Sequence, residues 1–203
     1  MPRPAIFLDR DGVINVFPGD GKYVLDWRNF TFMPDVQSSL LRLRAAGYFL
    51  VLVTNQSGVG RGLMTLDTLH DIHARMQAQL GAAKLDAIYY CPHHPDENCG
   101  CRKPSTFMLK QAAADHGLDL SPRSFLIGDS GRDIEMGRAA GVRTALCRQN
   151  LPPSIEALEP RYRPEKLFKT LGEAVAWVLS ELKKTEFSSS HFSHALSYDQ
   201  PRL

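Results

Sequence analysis

Residues 5–12 read AIFLDRDG. Four apolar residues, Ala5 to Leu8, run directly into Asp9, Arg10, Asp11 and Gly12. A short apolar run closed by charge and glycine fits a strand buried on both faces of a parallel sheet. Residues two apart in extended chain point the same way, so Asp9 and Asp11 should leave the strand end together. Neighbouring carboxylates repel and call for a cation between them or a shared proton. Hard Mg2+ accepts carboxylate oxygens and commonly bridges to phosphate. An arbitrary DxD is more commonly a solvated turn, so the rest of the chain decides what this pair means.

Outward from that strand, apolar runs alternate with helical periodicity. Strands are expected at Phe49 to Val53, Ala87 to Tyr90, Ser124 to Ile127 and Val142 to Leu146. Helices are expected at Asp35 to Ala46, Leu66 to Leu80, Thr106 to His116, Ile134 to Ala140 and Leu171 to Leu182, several of them stopped by glycine. Strands alternating with helices make βαβ units. The expected fold is therefore α/β, a three-layer doubly wound parallel sheet of Rossmann-like type. Ligands of such sheets sit beyond the carboxyl ends of the strands. The residues there are Asp9 and Asp11, Thr54 to Ser57, Cys91 to Lys103, and Asp129 to Asp133.

Those four places carry FLDRDG at 7–12, TNQSG at 54–58, RKP at 102–104 and GDSGRD at 128–133. In order and spacing they resemble the four motifs of the haloacid-dehalogenase superfamily, over roughly residues 4 to 147. The resemblance implies that Asp9 is a nucleophile forming an aspartyl-phosphate and Asp11 a general acid and base. It implies that Thr54 and the Asn55 backbone bind phosphate, with Gln56 and Ser57 beside them. Lys103 would offset phosphate charge and steady Asp9. Mg2+ would be held by Asp9, Asp11 and Asp129, with Asp133 in support. Taken singly, Thr54 could be a helix cap, Lys103 a surface charge and Asp133 a first-turn acid. No cap domain is expected, since the stretches between motifs are short; the loop at 15–31 could cover the site instead.

The segment Cys91-Pro-His93-His94-Pro-Asp-Glu-Asn-Cys99-Gly-Cys101 gives C-x-H-x5-C-x-C. Four soft or borderline ligands in so short a span suit tetrahedral zinc. Cys91, His93, Cys99 and Cys101 are the expected ligands, with His94 the rival to His93. Four protein ligands leave no open position, so the zinc is read as structural. The alternative is a reduced cysteine cluster without metal. A zinc clamp here would fix the loop that presents Arg102 and Lys103. Within the superfamily, CPHH…CxCRKP resembles two capless branches with this loop, the heptose bisphosphate phosphatases and the histidinol-phosphate phosphatases. The first implies supply of heptose for lipopolysaccharide or surface glycans, with Arg102 reading a second phosphate or the sugar. A short His93–Cys99 spacer keeps the second open. A non-enzymatic zinc-bearing binding module would leave the strand-end carboxylates unexplained.

Bulk properties set the remaining bounds. The 203 residues carry 24 basic and 22 acidic side chains, a formal charge of +2. That balance argues against nucleic acid or an anionic membrane as the main partner and leaves room for a local basic pocket for a small phosphorylated ligand. No long apolar segment or signal core occurs, so a soluble, cytoplasmic monomer is expected. Residues 1–183 are expected to form one domain and 184–203 a flexible tail. Cys147 is read as an ordinary buried cysteine.

Overall fold

The computed structural model describes residues 2–195, with side chains through residue 184. Six strands form one wholly parallel sheet: β1 Ala5–Leu8, β2 Phe49–Asn55, β3 Ala87–Cys91, β4 Phe125–Gly128, β5 Arg143–Cys147 and β6 Lys166–Phe168. Their order across the sheet is β3-β2-β1-β4-β5-β6. Chain order reverses at β1, with β2 on one side (Leu8 opposite Leu52) and β4 on the other (Leu8 opposite Ile127). A crevice opens outside the carboxyl ends at such a switch point. Asp9 is the residue that steps into it.

Every residue of β1 is buried. Alternation sends Ile6 and Leu8 into one core with Leu50, Leu52 and Val175, and Ala5 and Phe7 into another with Val51, Val53 and Leu126. Each fully buried aliphatic side chain contributes roughly 1.5–3 kcal/mol. Helices α1 Val36–Ala45, α2 Leu66–Leu80 and α5 Leu171–Ala195 supply the first core, whereas α3 Phe107–His116 and α4 Gly131–Ala140 supply the second. The three-layer expectation from sequence is therefore met. No second domain interrupts the described residues, and residues 16–23 of the long first loop line the crevice.

Three differences from the sequence reading exceed two residues. Helix α4 begins at Gly131, before Ile134, because Ser130 and Asp133 form a reciprocal capping box that starts it on polar residues. Strand β6 has no counterpart among the expected elements; three residues are too few to show a period. Helix α5 passes Leu182 and continues to Ala195, since no proline or glycine interrupts it there. The helix thus runs through the first part of the segment expected as a tail, and residues 196–203 lie outside the described part. Among the described residues no helix is long and apolar enough to cross a membrane.

Candidate active site

Asp9 sits at the end of β1, its N–H bonded to Ile127 O of β4 at 3.1 Å. Its Oδ1 accepts from the Arg10 N–H at 2.7 Å and pairs with Lys103 Nζ at 2.8 Å. Among the described residues no group donates to Oδ2, which is left for chemistry. Lys103 is itself buried and also donates to Asp133 Oδ1 at 2.6 Å and to Val53 O at 3.1 Å. Burial alone would discharge this lysine, but Asp133 and Asp9 push its pKa well above the ordinary value. Its backbone is fixed by Asn55, whose Oδ1 accepts the Lys103 N–H at 3.0 Å. The Asn55 side chain thus holds the lysine loop, while its backbone is the part expected at the phosphate.

Asp133 spends its other oxygen on Ser130 N and Oγ at 3.1 and 2.5 Å. Asp129 has no donor among the described residues. Carboxylate oxygens of Asp9, Asp129 and Asp133 lie within 4.8 Å of one another. Burial, then Asp9 and Asp133, raise the Asp129 carboxyl to about 8, and burial with Asp133 and Asp11 raises Asp9 to about 6 despite Lys103. Four acids (Asp9, Asp11, Asp129, Asp133) face two cations (Arg10, Lys103), leaving minus two when all ionise. One divalent cation balances that charge, and its natural holders are Asp9 and Asp129, because Asp133 is already satisfied.

Asp11 is the third residue expected at Mg2+. Its carboxylate lies outside the acidic cluster and is gripped by Arg10 Nε and Nη2 at 3.2 and 3.0 Å, Asn15 Nδ2 at 2.9 Å and Gln56 Nε2 at 2.9 Å. Burial pushes this carboxyl up, but the Arg10 guanidinium and these bonds outweigh it and hold it below the ordinary value. Acidic crowding thus raises Asp129 and Asp9, not Asp11. Gln56, read from sequence as a substrate contact, is 1% exposed, and its Nε2 donates to Asp11 Oδ2 and to Thr54 Oγ1, each at 2.9 Å.

Thr54 and Ser57 flank the floor of a cleft of about 1040 Å³ that also takes in Asp9, Asp11, Lys103 and Asp129. An adjoining bay of about 680 Å³ is lined by Tyr23, Ser57, Arg61, Arg102 and Arg132, with Cys99 at its edge. None of these arginines meets a carboxylate among the described residues, and Arg102 Nη1 is buried without a partner. An unmade bond of that kind costs about 1–3 kcal/mol. Arg102 thus lines this bay together with Tyr23 and Arg61 from loops and Arg132 from the first turn of α4.

The second cluster joins Cys91, His93, Cys99 and Cys101. Cys91 Sγ lies 3.4 Å from Cys99 Sγ, and His93 Nδ1 lies 3.2 Å from Cys101 Sγ. His94 is turned to cap its own turn, accepting from Asp96 N at 3.2 Å, so His93 is the ring that faces the sulfurs. Its loop is laced to the loop at 56–62 by Gln56 N to Cys91 O at 2.7 Å and Gly60 N to Pro92 O at 2.8 Å. Arg10, Asn15 and His73 were not foreseen. Arg10 stands in a charged string yet is wholly buried, its Nη1 3.5 Å from His73 Nε2. Burial and the nearby guanidinium depress His73 to about 3, keeping it neutral.

Comparison with known proteins bears on this site. A family model described as HAD-hydrolase-like matches residues 100–174. The D-glycero-D-manno-heptose-1,7-bisphosphate 7-phosphatase of Thermosynechococcus vestitus is 38% identical over 90% of this chain and 98% of its own length. The D-glycero-beta-D-manno-heptose-1,7-bisphosphate 7-phosphatase of Yersinia pestis is 39% identical over 88% of this chain and 91% of its own. Among solved structures, the D,D-heptose 1,7-bisphosphate phosphatase of B. bronchiseptica, complexed with magnesium and phosphate, superposes with a TM-score of 0.78 at 34% identity. It covers 88% of this chain and 99% of that one.

Proposed function

The chain belongs to the haloacid-dehalogenase-like hydrolases, alongside the heptose bisphosphate phosphatases, and we propose that it removes the 7-phosphate of D-glycero-D-manno-heptose 1,7-bisphosphate. The observation that carries the reading is Asp9: a buried carboxylate at the sheet's switch point, one oxygen tied to Lys103 and the other free toward a cation-lined cleft. Asp9 attacks phosphorus as the sugar's alkoxide leaves, forming an aspartyl-phosphate that water then cleaves. Lys103 steadies the nucleophile and offsets phosphoryl charge, while Thr54 and Ser57 stand at the phosphate's position. Mg2+, held by Asp9 and Asp129, would supply the electrophilic charge that the acidic cluster lacks.

Asp11 is ionised at rest. An incoming phosphate beside it raises its pKa, which equips it to carry a proton to the leaving oxygen and later take one from water. The bay of Arg61, Arg102 and Arg132 suits the phosphate that stays behind, through planar forks. It also argues against histidinol phosphate, whose ammonium group these unpaired cations would repel. Zinc at Cys91, His93, Cys99 and Cys101 would be structural. Such an enzyme works in the cytoplasm as a step in supplying heptose for lipopolysaccharide or surface glycans.

The test is phosphate release from heptose 1,7-bisphosphate and from histidinol phosphate, with and without Mg2+. Turnover of the first that needs Mg2+ and drops at least about 1000-fold in Asp9→Asn is expected. Undiminished activity in that variant would sink the nucleophile assignment.

A further inference from the structure

Arg10 is the largest wholly buried side chain among the described residues. Burying a guanidinium is expensive, and an apolar residue of that volume would fill the space with less desolvation. Its fork is spent almost entirely on one partner: Nε and Nη2 on Asp11 Oδ1 at 3.2 and 3.0 Å, and Nη2 on Oδ2 at 3.0 Å. Asn15 and Gln56 take the remaining directions. Behind the fork stands the neutral His73, at 3.5 Å from Nη1, its ring packed against Tyr90 with centroids 5.7 Å apart. Tyr90 in turn meets His70 Nε2 at 2.6 Å. A rigid column thus runs from α2 and β3 through Arg10 to a carboxylate on the cleft floor.

We propose that Arg10, backed by His73, is the positioning residue that aims Asp11 at the leaving-group oxygen. It acts only through Asp11 and touches no substrate. The inference rests on the reading of Asp11 as the proton carrier, and it makes a demand that a plug in the core would not make. Proton delivery matters for a poor leaving group such as a sugar alkoxide and matters little for p-nitrophenolate. Loss of aim should therefore be selective for the leaving group, whereas general loosening of the site would lower both rates together.

The experiment compares Arg10→Lys with the parent protein on heptose 1,7-bisphosphate and on p-nitrophenyl phosphate. Lysine keeps the charge but cannot fork. On the sugar, kcat should fall about tenfold or more, with KM within about twofold. On the aryl ester kcat should stay within about threefold. In an Asp11→Asn background the same substitution should add nothing further on the sugar substrate, the mark of two residues acting as one unit. Equal losses on both substrates, or an undiminished penalty in the Asp11→Asn background, would overturn the proposal.

Should Arg10→Lys fail to fold, His73→Leu withdraws the backing while leaving Arg10 in place. It should give the same substrate selectivity in weaker form, and equal effects on both esters would again count against the proposal. Failure of the underlying reading looks different: the parent protein would release no phosphate, or Asp11→Asn would turn over the sugar substrate unimpaired.

Discussion

Gly12 shows how tightly the acidic residues are fitted. Its φ of +89° suits glycine, and a Cβ there would stand 2.4 Å from Asp129 Oδ2. Gly12→Ala should therefore displace Asp129, cost about 1–3 kcal/mol in stability, and weaken Mg2+ dependence. Thermal melts and a Mg2+ titration of activity would check this; an unchanged titration curve would mean that Asp129 has no part in metal binding. At this scale the sequence disclosed residue types and strand-end positions, enough to select Asp9, Lys103 and Asp129. It could not disclose which way a side chain turns. Gln56 and Asn55 stand among many hydrogen-bonding groups, and only the fold shows that their side chains bond to Asp11 and Lys103. Arg10 was hidden for a related reason: burial of a charge in a polar string depends on a partner that only three dimensions supply.

Elements were legible where packing writes a period into the chain. Helix α2 matches its expected span because Leu69, Ile72, His73 and Met76 form one buried face between a Thr65 cap and Gly81. Strand β6 and the first turn of α4 were not legible, since one is too short and the other is polar. The contact between the loop at 56–62 and the cysteine loop was equally invisible, yet it is close. A Cβ on Gly60 would lie 2.2 Å from His94 N and 2.6 Å from His93 C. Gly60→Ala should force the two loops apart, costing about 1–3 kcal/mol and lowering retention, against a competing chelator, of the zinc proposed for the cysteine–histidine set. Wild-type zinc retention in that variant would show that the loops are energetically independent.

Across the whole molecule the balance of charge is uneven. The surface pairs many of its ions, as in Arg75 with Asp71 and Arg143 with Glu165, while the centre holds an unbalanced acidic cluster. Asp9 and Asp129 have folded-state values raised to about 6 and about 8 from an ordinary 3.8. The folded protein therefore holds these protons more tightly than the unfolded chain. Their contribution is fully present below the ordinary value and is lost as pH climbs through about 6 and about 8. Mg2+ competes for the ionised forms, so its stabilisation should grow over the same window. Melting with and without Mg2+ at about pH 5.5 and about pH 8.5 checks the sign, since an increment larger at the acid end would contradict it. The placement of β4 against β1 also fixes an order of assembly. The cysteine–histidine set is complete once residue 101 has been synthesised, but Asp9 waits for Asp129 and Asp133, more than half the chain later. A polypeptide emerging from the ribosome could close its sulfur cluster early, while the catalytic pocket stays unbuilt until β4 inserts beside the first strand.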